Sequence, residues 1–343
     1  MKRFCYFAFC CLFLALTSGT AVQDAVAGLR LTNVSYDPTR EFYRSYNKAF
    51  CDYWKKQKGE DITVRSTHGG SGMQARTVID GLAADIVTLA LEADIDAIAS
   101  RTGRIRKDWR GTLPHDNAPY TSTVVFLVRK NNPKKIRDWD DLVRRDVEVI
   151  TPNPKTSGGA RWNLLAALAW AREHFNGDET AARDYVASLY KRVPVMDTGA
   201  RGAVLTFIQR GMGDVLLTLE NEALLALQER GGSAFEIVVP SVSILAEPPV
   251  AIIDADVDAN GTREAATAYL QYLYSQEGQT LAAKNGYRPS NPELVDSGIL
   301  EQFPEQFPEI QLVTIERFGG WKKAQPEFFE DNGFFDQIYR KGR

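Results

Sequence analysis

Along this chain, short β-branched or apolar runs alternate with stretches whose apolar residues recur every three or four positions. The runs Leu29–Val34, Asp61–Arg65, Ala84–Leu89, Thr121–Arg129, Val147–Thr151, Val193–Met196, Asp214–Leu217, Phe235–Pro240 and Val250–Asp254 predict strands. Helical spacing covers Thr39–Gln57, Gly72–Leu82, Ile95–Ala99, Asp138–Arg144, Ala160–Phe175 and Glu179–Lys191. It returns over Ala203–Arg210, Glu222–Arg230, Thr262–Ser275 and Glu277–Asn285. Such alternation predicts α/β architecture, with parallel sheets covered by helices on both faces. Thr121–Arg129 is long enough to pass between two lobes, and the Pro-containing stretch between Phe235 and Asp254 reads as the return. One lobe is therefore expected from residues 28–115 plus 245–343, and the other from 116–244. The tail from Pro304 is rich in aromatics, among them Phe318, Trp321, Phe328, Phe334 and Phe335. These are expected to pack against the first lobe; a partner surface is the other reading.

Three of the expected strands run into a Gly/Ser knot and then a helix. The knots are Ser66–Gly72, Lys155–Ala160 and Asp197–Gly202. A helix start leaves backbone N–H groups unpaired, and the helix dipole favours negative charge there. Three knots of the same grammar at strand C-termini suggest convergence on one small anion in the cleft between the lobes. The donors are neutral: backbone N–H groups and the hydroxyls of Ser71 and Ser157. That suits a fully ionised tetrahedral oxyanion.

Composition narrows the setting. Lys2 and Arg3 precede an apolar run from Phe4 to Leu16, then the small triplet Ala25-Val26-Ala27. This predicts a secretory signal over 1–27, cut after Ala27 or, as second choice, after Ala21; a retained anchor is the alternative. The run is too short to span a membrane. Of 41 basic and 44 acidic residues, Lys2, Arg3 and Asp24 leave with the segment, so 39 against 43 remain and the charge is −4. No basic surface for nucleic acid is expected. Three of four cysteines also leave, and Cys51 reads as a small buried hydrophobe rather than a nucleophile.

The usual chemistries do not fit. A nucleophile elbow needs glycine at the fifth place of Gly69-Gly-Ser-Gly-Met73, and only His68, His115 and His174 could serve as bases. In Pro152-Asn-Pro-Lys-Thr-Ser-Gly-Gly159 the lysine precedes the glycines, opposite to a P-loop. No metal-ligand spacing occurs, so no metal and no cofactor are expected. Asp94 and Asp96, like Glu220 and Glu222, read as solvated helix entries, and Arg161 and Arg201 as supports for the loops. Phosphate or molybdate remains an alternative ligand, with Asp37 or Asp197 as an acceptor for a phosphate proton. A secreted phosphate- or sulfate-ester hydrolase remains a further alternative, one that would need Ser71 or Ser157 as nucleophile.

Several longer motifs add to this. Asn33-Val-Ser-Tyr-Asp-Pro-Thr-Arg40, His68-Gly-Gly-Ser-Gly72, Ala118-Pro-Tyr-Thr-Ser-Thr123, Ser157-Gly-Gly-Ala-Arg-Trp-Asn163, Ile244-Leu-Ala-Glu247 and Phe318-Gly-Gly-Trp321 resemble the periplasmic sulfate/thiosulfate-binding proteins of bacterial ABC importers. The resemblance runs from about Leu29 to the C-terminus. It implies a type II periplasmic-binding-protein fold, two lobes closing on the anion, and delivery to a membrane permease; a shuttle that must reach a transporter is expected to be a monomer. It implies backbone donors at Asp37, Ser71, Gly158, Gly159 and Ala200, with a hydroxyl donor at Ser157. The family's sulfate-specific members place a tryptophan where this chain has Leu219. The departure removes one donor, which either shifts preference toward thiosulfate or leaves the bond to Thr218 or an ordered water.

Overall fold

A computed structural model describes residues 28–228, 232–301 and 310–341. The expected signal segment 1–27 and the end of the helix expected over Glu222–Arg230 lie outside these residues. The chain opens with β1 (Leu29–Tyr36), α1 (Arg40–Lys58), β2 (Ile62–Gly69), α2 (Ser71–Ile79), β3 (Ile86–Thr88) and α3 (Glu92–Thr102). It continues through β4 (Tyr120–Thr121), β5 (Val124–Arg129), β6 (Val149–Ile150), α4 (Gly158–His174), α5 (Glu179–Tyr190) and α6 (Ala200–Ile208). Next come β7 (Val215–Leu219), α7 (Glu220–Gln228), β8 (Phe235–Val238), β9 (Val242–Ile244), β10 (Val250–Ile252), α8 (Asp254–Asn260), α9 (Arg263–Tyr272) and α10 (Gln276–Lys284). Last are β11 (Arg288–Pro289), α11 (Ser297–Glu301), β12 (Gln311–Val313), α12 (Gly320–Ala324) and α13 (Phe334–Lys341).

Two four-stranded sheets form the two lobes. Their strand orders are β10-β3-β1-β2 and β6-β7-β5-β8. In the first, β1, β2 and β3 are parallel and β10 runs against β3. In the second, β6 and β7 are parallel while β5 runs against both β7 and β8. The sheets are thus not wholly parallel. The strand that opposes its neighbours is in each case the one arriving from the other lobe. At the crossing, Ser122 and Ala246 exchange backbone hydrogen bonds of 2.9 Å in each direction. One expected strand, Thr121–Arg129, therefore splits: β4 pairs with β11, Ser122 bridges to Ala246, and only β5 joins the second sheet.

Strand alternation sets the cores. Along β5, Val124, Phe126 and Val128 face one core while Val125 and Leu127 face the other. Along β1, Leu31 and Val34 likewise belong to different cores, the first rich in tyrosine from α1 and α9. Val193–Met196 forms no strand. Pro194 lacks the N–H a ladder needs, and only the flanking residues bond the sheet side, Arg192 O from Val149 and Asp197 O from Asn153.

The aromatic tail belongs elsewhere than expected. Phe318, Trp321, Phe328, Phe334 and Phe335 share a core with Trp139, Leu165, Tyr185 and Tyr190 of the second lobe. Trp321 meets Trp162 edge-on at 4.8 Å, and Phe335 meets Tyr190 at 5.4 Å. The assignment of all of 245–343 to the first lobe is corrected for this part. The reason lies in α4, where every residue from Gly158 to Ala171 is buried. A helix apolar on all sides needs cover on the face turned from its sheet, and the tail supplies it.

Candidate functional site

Each knot ends at a helix start. Ser71 is the first residue of α2, Ser157 the N-cap of α4, Gly158 and Gly159 its first two residues, and Ala200 the first residue of α6. Asp37 opens the short 3-10 turn at the end of β1. Residues at such positions have no N–H partner within their own helix. Five outward-facing amides thus come from turns that are far apart in sequence.

Close approaches bring these turns together. A Cβ at Gly158 would lie 2.5 Å from Ala90 Cβ and 3.0 Å from Ser71 Cβ. One at Gly70 would lie 2.5 Å from Thr156 O and 2.8 Å from Thr198 O, so the α2 turn sits between the other two knots. One at Gly199 would overlap the Asp37 carboxylate, and one at Gly159 would lie 4.0 Å from Ala200 Cβ. Glycine here admits backbone where no side chain fits. Ser71, Ser157, Gly158, Gly159 and Ala200 are all buried, while Asp37 is partly exposed.

The two serines differ in what their hydroxyls can still do. Ser71 Oγ donates to Asp94 Oδ2 (2.6 Å) and accepts from the Ala90 N–H (3.0 Å), which leaves only its amide for a ligand. Ser157 Oγ accepts the Ala160 N–H at 3.4 Å as a helix cap, so its own hydrogen is available.

Charges at the edge are paired with one another. Arg161 Nη1 meets Asp94 Oδ1 at 2.9 Å across the cleft, both side chains nearly buried, and Arg161 Nε donates to Pro154 O. Asp94 is therefore no solvated helix entry. Neither are Glu220, which is buried and bonded to Arg288 at 2.7 and 2.8 Å, or Glu222, also buried. Asp37 lies 3.6 Å from Arg40, and its carboxylate accepts the Arg201 backbone N–H. Burial raises the Asp37 pKa, with Arg40 and Arg201 opposing. Further cross-lobe bonds run from Trp162 Nε1 to Ala90 O (3.1 Å) and from Asn221 Nδ2 to Pro38 O (3.4 Å). No metal-binding cluster occurs among the described residues. Cys51 is only partly buried, and His174 stacks on Trp170 at 4.5 Å, away from the cleft.

Leu219 ends β7 with its side chain buried. With Gly159, Ala200, Ala203, Asn163, Pro152, Leu217 and Thr218 it lines a void of about 10 Å³. Asn163 was not singled out by the sequence reading. The signal available was its place, with Arg161, as a polar residue in a helix otherwise apolar on every side.

Two α/β lobes, joined by crossing strands and meeting through helix N-termini at a closed cleft, define a solute-binding receptor. Residues 38–288 match the family model described as bacterial extracellular solute-binding protein. The sulfate-binding protein of Escherichia coli (strain K12) is 57% identical over 330 residues, 96% of this chain and 97% of the relative. The thiosulfate-binding protein of Pseudomonas aeruginosa is 50% identical over 326 residues, 94% and 96% of the two chains. Among solved structures, the sulfate-binding protein SubI of Mycobacterium tuberculosis H37Rv superposes with a TM-score of 0.77 at 34% identity, covering 88% of this chain and all of the other. The chain belongs to the bacterial extracellular solute-binding proteins, in the group that holds these sulfate- and thiosulfate-binding relatives.

Proposed function

We propose that the protein is a non-catalytic periplasmic receptor that captures sulfate or thiosulfate and delivers it, as a monomer, to the permease of an ABC importer. The observation that carries this reading is the meeting of three helix N-termini with neutral donors while the nearby charges pair with one another. Backbone amides of Asp37, Ser71, Gly158, Gly159 and Ala200, with the Ser157 hydroxyl, would replace the hydration shell of a dianion. Removing such an ion from water is costly, and each bond to a charged acceptor contributes about 1.5–3 kcal/mol. About six such bonds support affinity in the micromolar range or tighter. The relatives named for sulfate and thiosulfate binding support the same ligand class.

Two observations weigh against the other ligands and chemistries. The Asp37 carboxylate is committed to Arg201 and Arg40, so it is not offered to a phosphate proton. The Ser71 hydroxyl is bonded to a carboxylate that is itself paired with arginine, which is not how a nucleophile is activated.

Calorimetric titration of residues 28–343 tests the reading. Sulfate and thiosulfate are expected to bind at micromolar concentration or below, with affinity flat between about pH 5 and about pH 8 because no donor titrates there. Phosphate and molybdate are expected to bind about a hundredfold more weakly or worse. Indifference to both sulfur oxyanions overturns the proposal.

A further inference from the structure

Asn163 lies at the back of the proposed anion site with one atom unaccounted for. Its side chain is 1% exposed. The amide nitrogen donates to Thr151 Oγ1 and to Leu217 O, each at 3.0 Å. Because the Leu217 carbonyl can only accept, the amide orientation is fixed. Oδ1 is thereby left as a buried acceptor without a partner. Leaving such an atom unpaired costs its full desolvation. The same residue lines the void of about 10 Å³ that also touches Gly159, Ala200 and Leu219.

We propose that one ordered water occupies this void as a fixed part of the binding site and donates to the bound anion. The inference rests on the sulfate/thiosulfate reading of the cleft. An acceptor turned toward an anion would repel it. A water between them reverses the polarity: one hydrogen goes to Asn163 Oδ1, and the other is thereby aimed at the ligand. The void admits about one water centre. A buried water needs about two to four polar partners; Asn163 and Thr218 line the void, and a bound anion would supply a further one. The remaining walls, Leu219, Ala200, Ala203 and Leu217, are apolar and offer the water no side-chain partner. Asn163 is thus a positioning residue for a donor that the chain itself does not supply at Leu219. The arrangement favours an oxygen at that corner of the ligand, because the terminal sulfur of thiosulfate is a poorer acceptor.

A crystal structure of the sulfate complex is expected to show a water within hydrogen-bond distance of both Asn163 Oδ1 and a sulfate oxygen. Filling the void from α6 with Ala203→Val is expected to lower sulfate affinity by roughly tenfold to a hundredfold, as loss of one bond to a charged acceptor would. Thiosulfate affinity is expected to fall by a smaller factor. Its melting curve should remain cooperative; should the variant not fold, the crystal structure decides alone. Sulfate bound with no water on Asn163 Oδ1, or undiminished sulfate affinity in folded Ala203→Val, overturns the water while leaving the receptor reading intact. A parent protein that binds neither anion overturns both.

Discussion

His68 shows how a single side chain near the cleft sets the response to acid. It is the last residue but one of β2, beside the glycines of the first knot, and burial, reinforced by Arg40 and Arg44, pushes its pKa down from 6.5 to about 4. The folded state favours the neutral ring, so between those values the unfolded chain binds the extra proton. The contribution is fully present above pH 6.5 and is lost as pH falls toward 4. Thermal melts across this range are expected to show His68→Gln losing less stability on acidification than the parent; equal slopes would contradict it. At this scale the sequence is least legible. Asp94 and Glu220 look like any acidic helix entry, and only their burial and their arginine partners reveal otherwise. Asn163 carries no motif of its own, and its free oxygen follows from the placement of Leu217 O.

At the scale of elements, periodicity marks where helices and strands lie but not which sheet or lobe receives them. The runs around β1, β2, α1 and α5 are plain in the sequence because each has one apolar face or alternates. Thr121–Arg129 misleads because one uninterrupted apolar run serves two sheets. The tail misleads for a different reason: aromatic density says that a surface is covered, not whose. α4 held the clue, since its buried outer face had no other cover. Trp321→Ala is expected to cost about 3–5 kcal/mol. Hydrogen exchange should then show protection lost in α4 and α5 while α1 and α9 keep theirs. Loss confined to α1 and α9 would return the tail to the first lobe.

Contacts that span the cleft tie the two lobes together, among them the Asp94–Arg161 pair, the Glu220–Arg288 pair and the bonds of Trp162 and Asn221. Breaking one side of a buried pair strands the other charge, at a cost of about 3–5 kcal/mol. Arg161→Met is therefore expected to lower both melting temperature and sulfate affinity, and adding Asp94→Leu should recover much of the stability. A cycle of the four proteins, read by denaturation and titration, would show no coupling if the two residues act independently. A shared loss of stability and affinity in Arg161→Met would link the two through the same contacts.

Because α13 docks on the second lobe while Leu29 starts a strand of the first, the two ends of the described chain ride on opposite jaws. Their separation is a natural gauge of how far the jaws stand apart. Fluorophores placed near Leu29 and near Lys341 would report any change in that separation when sulfate is added, and a tether fixed at either end would hold one lobe directly and not the other.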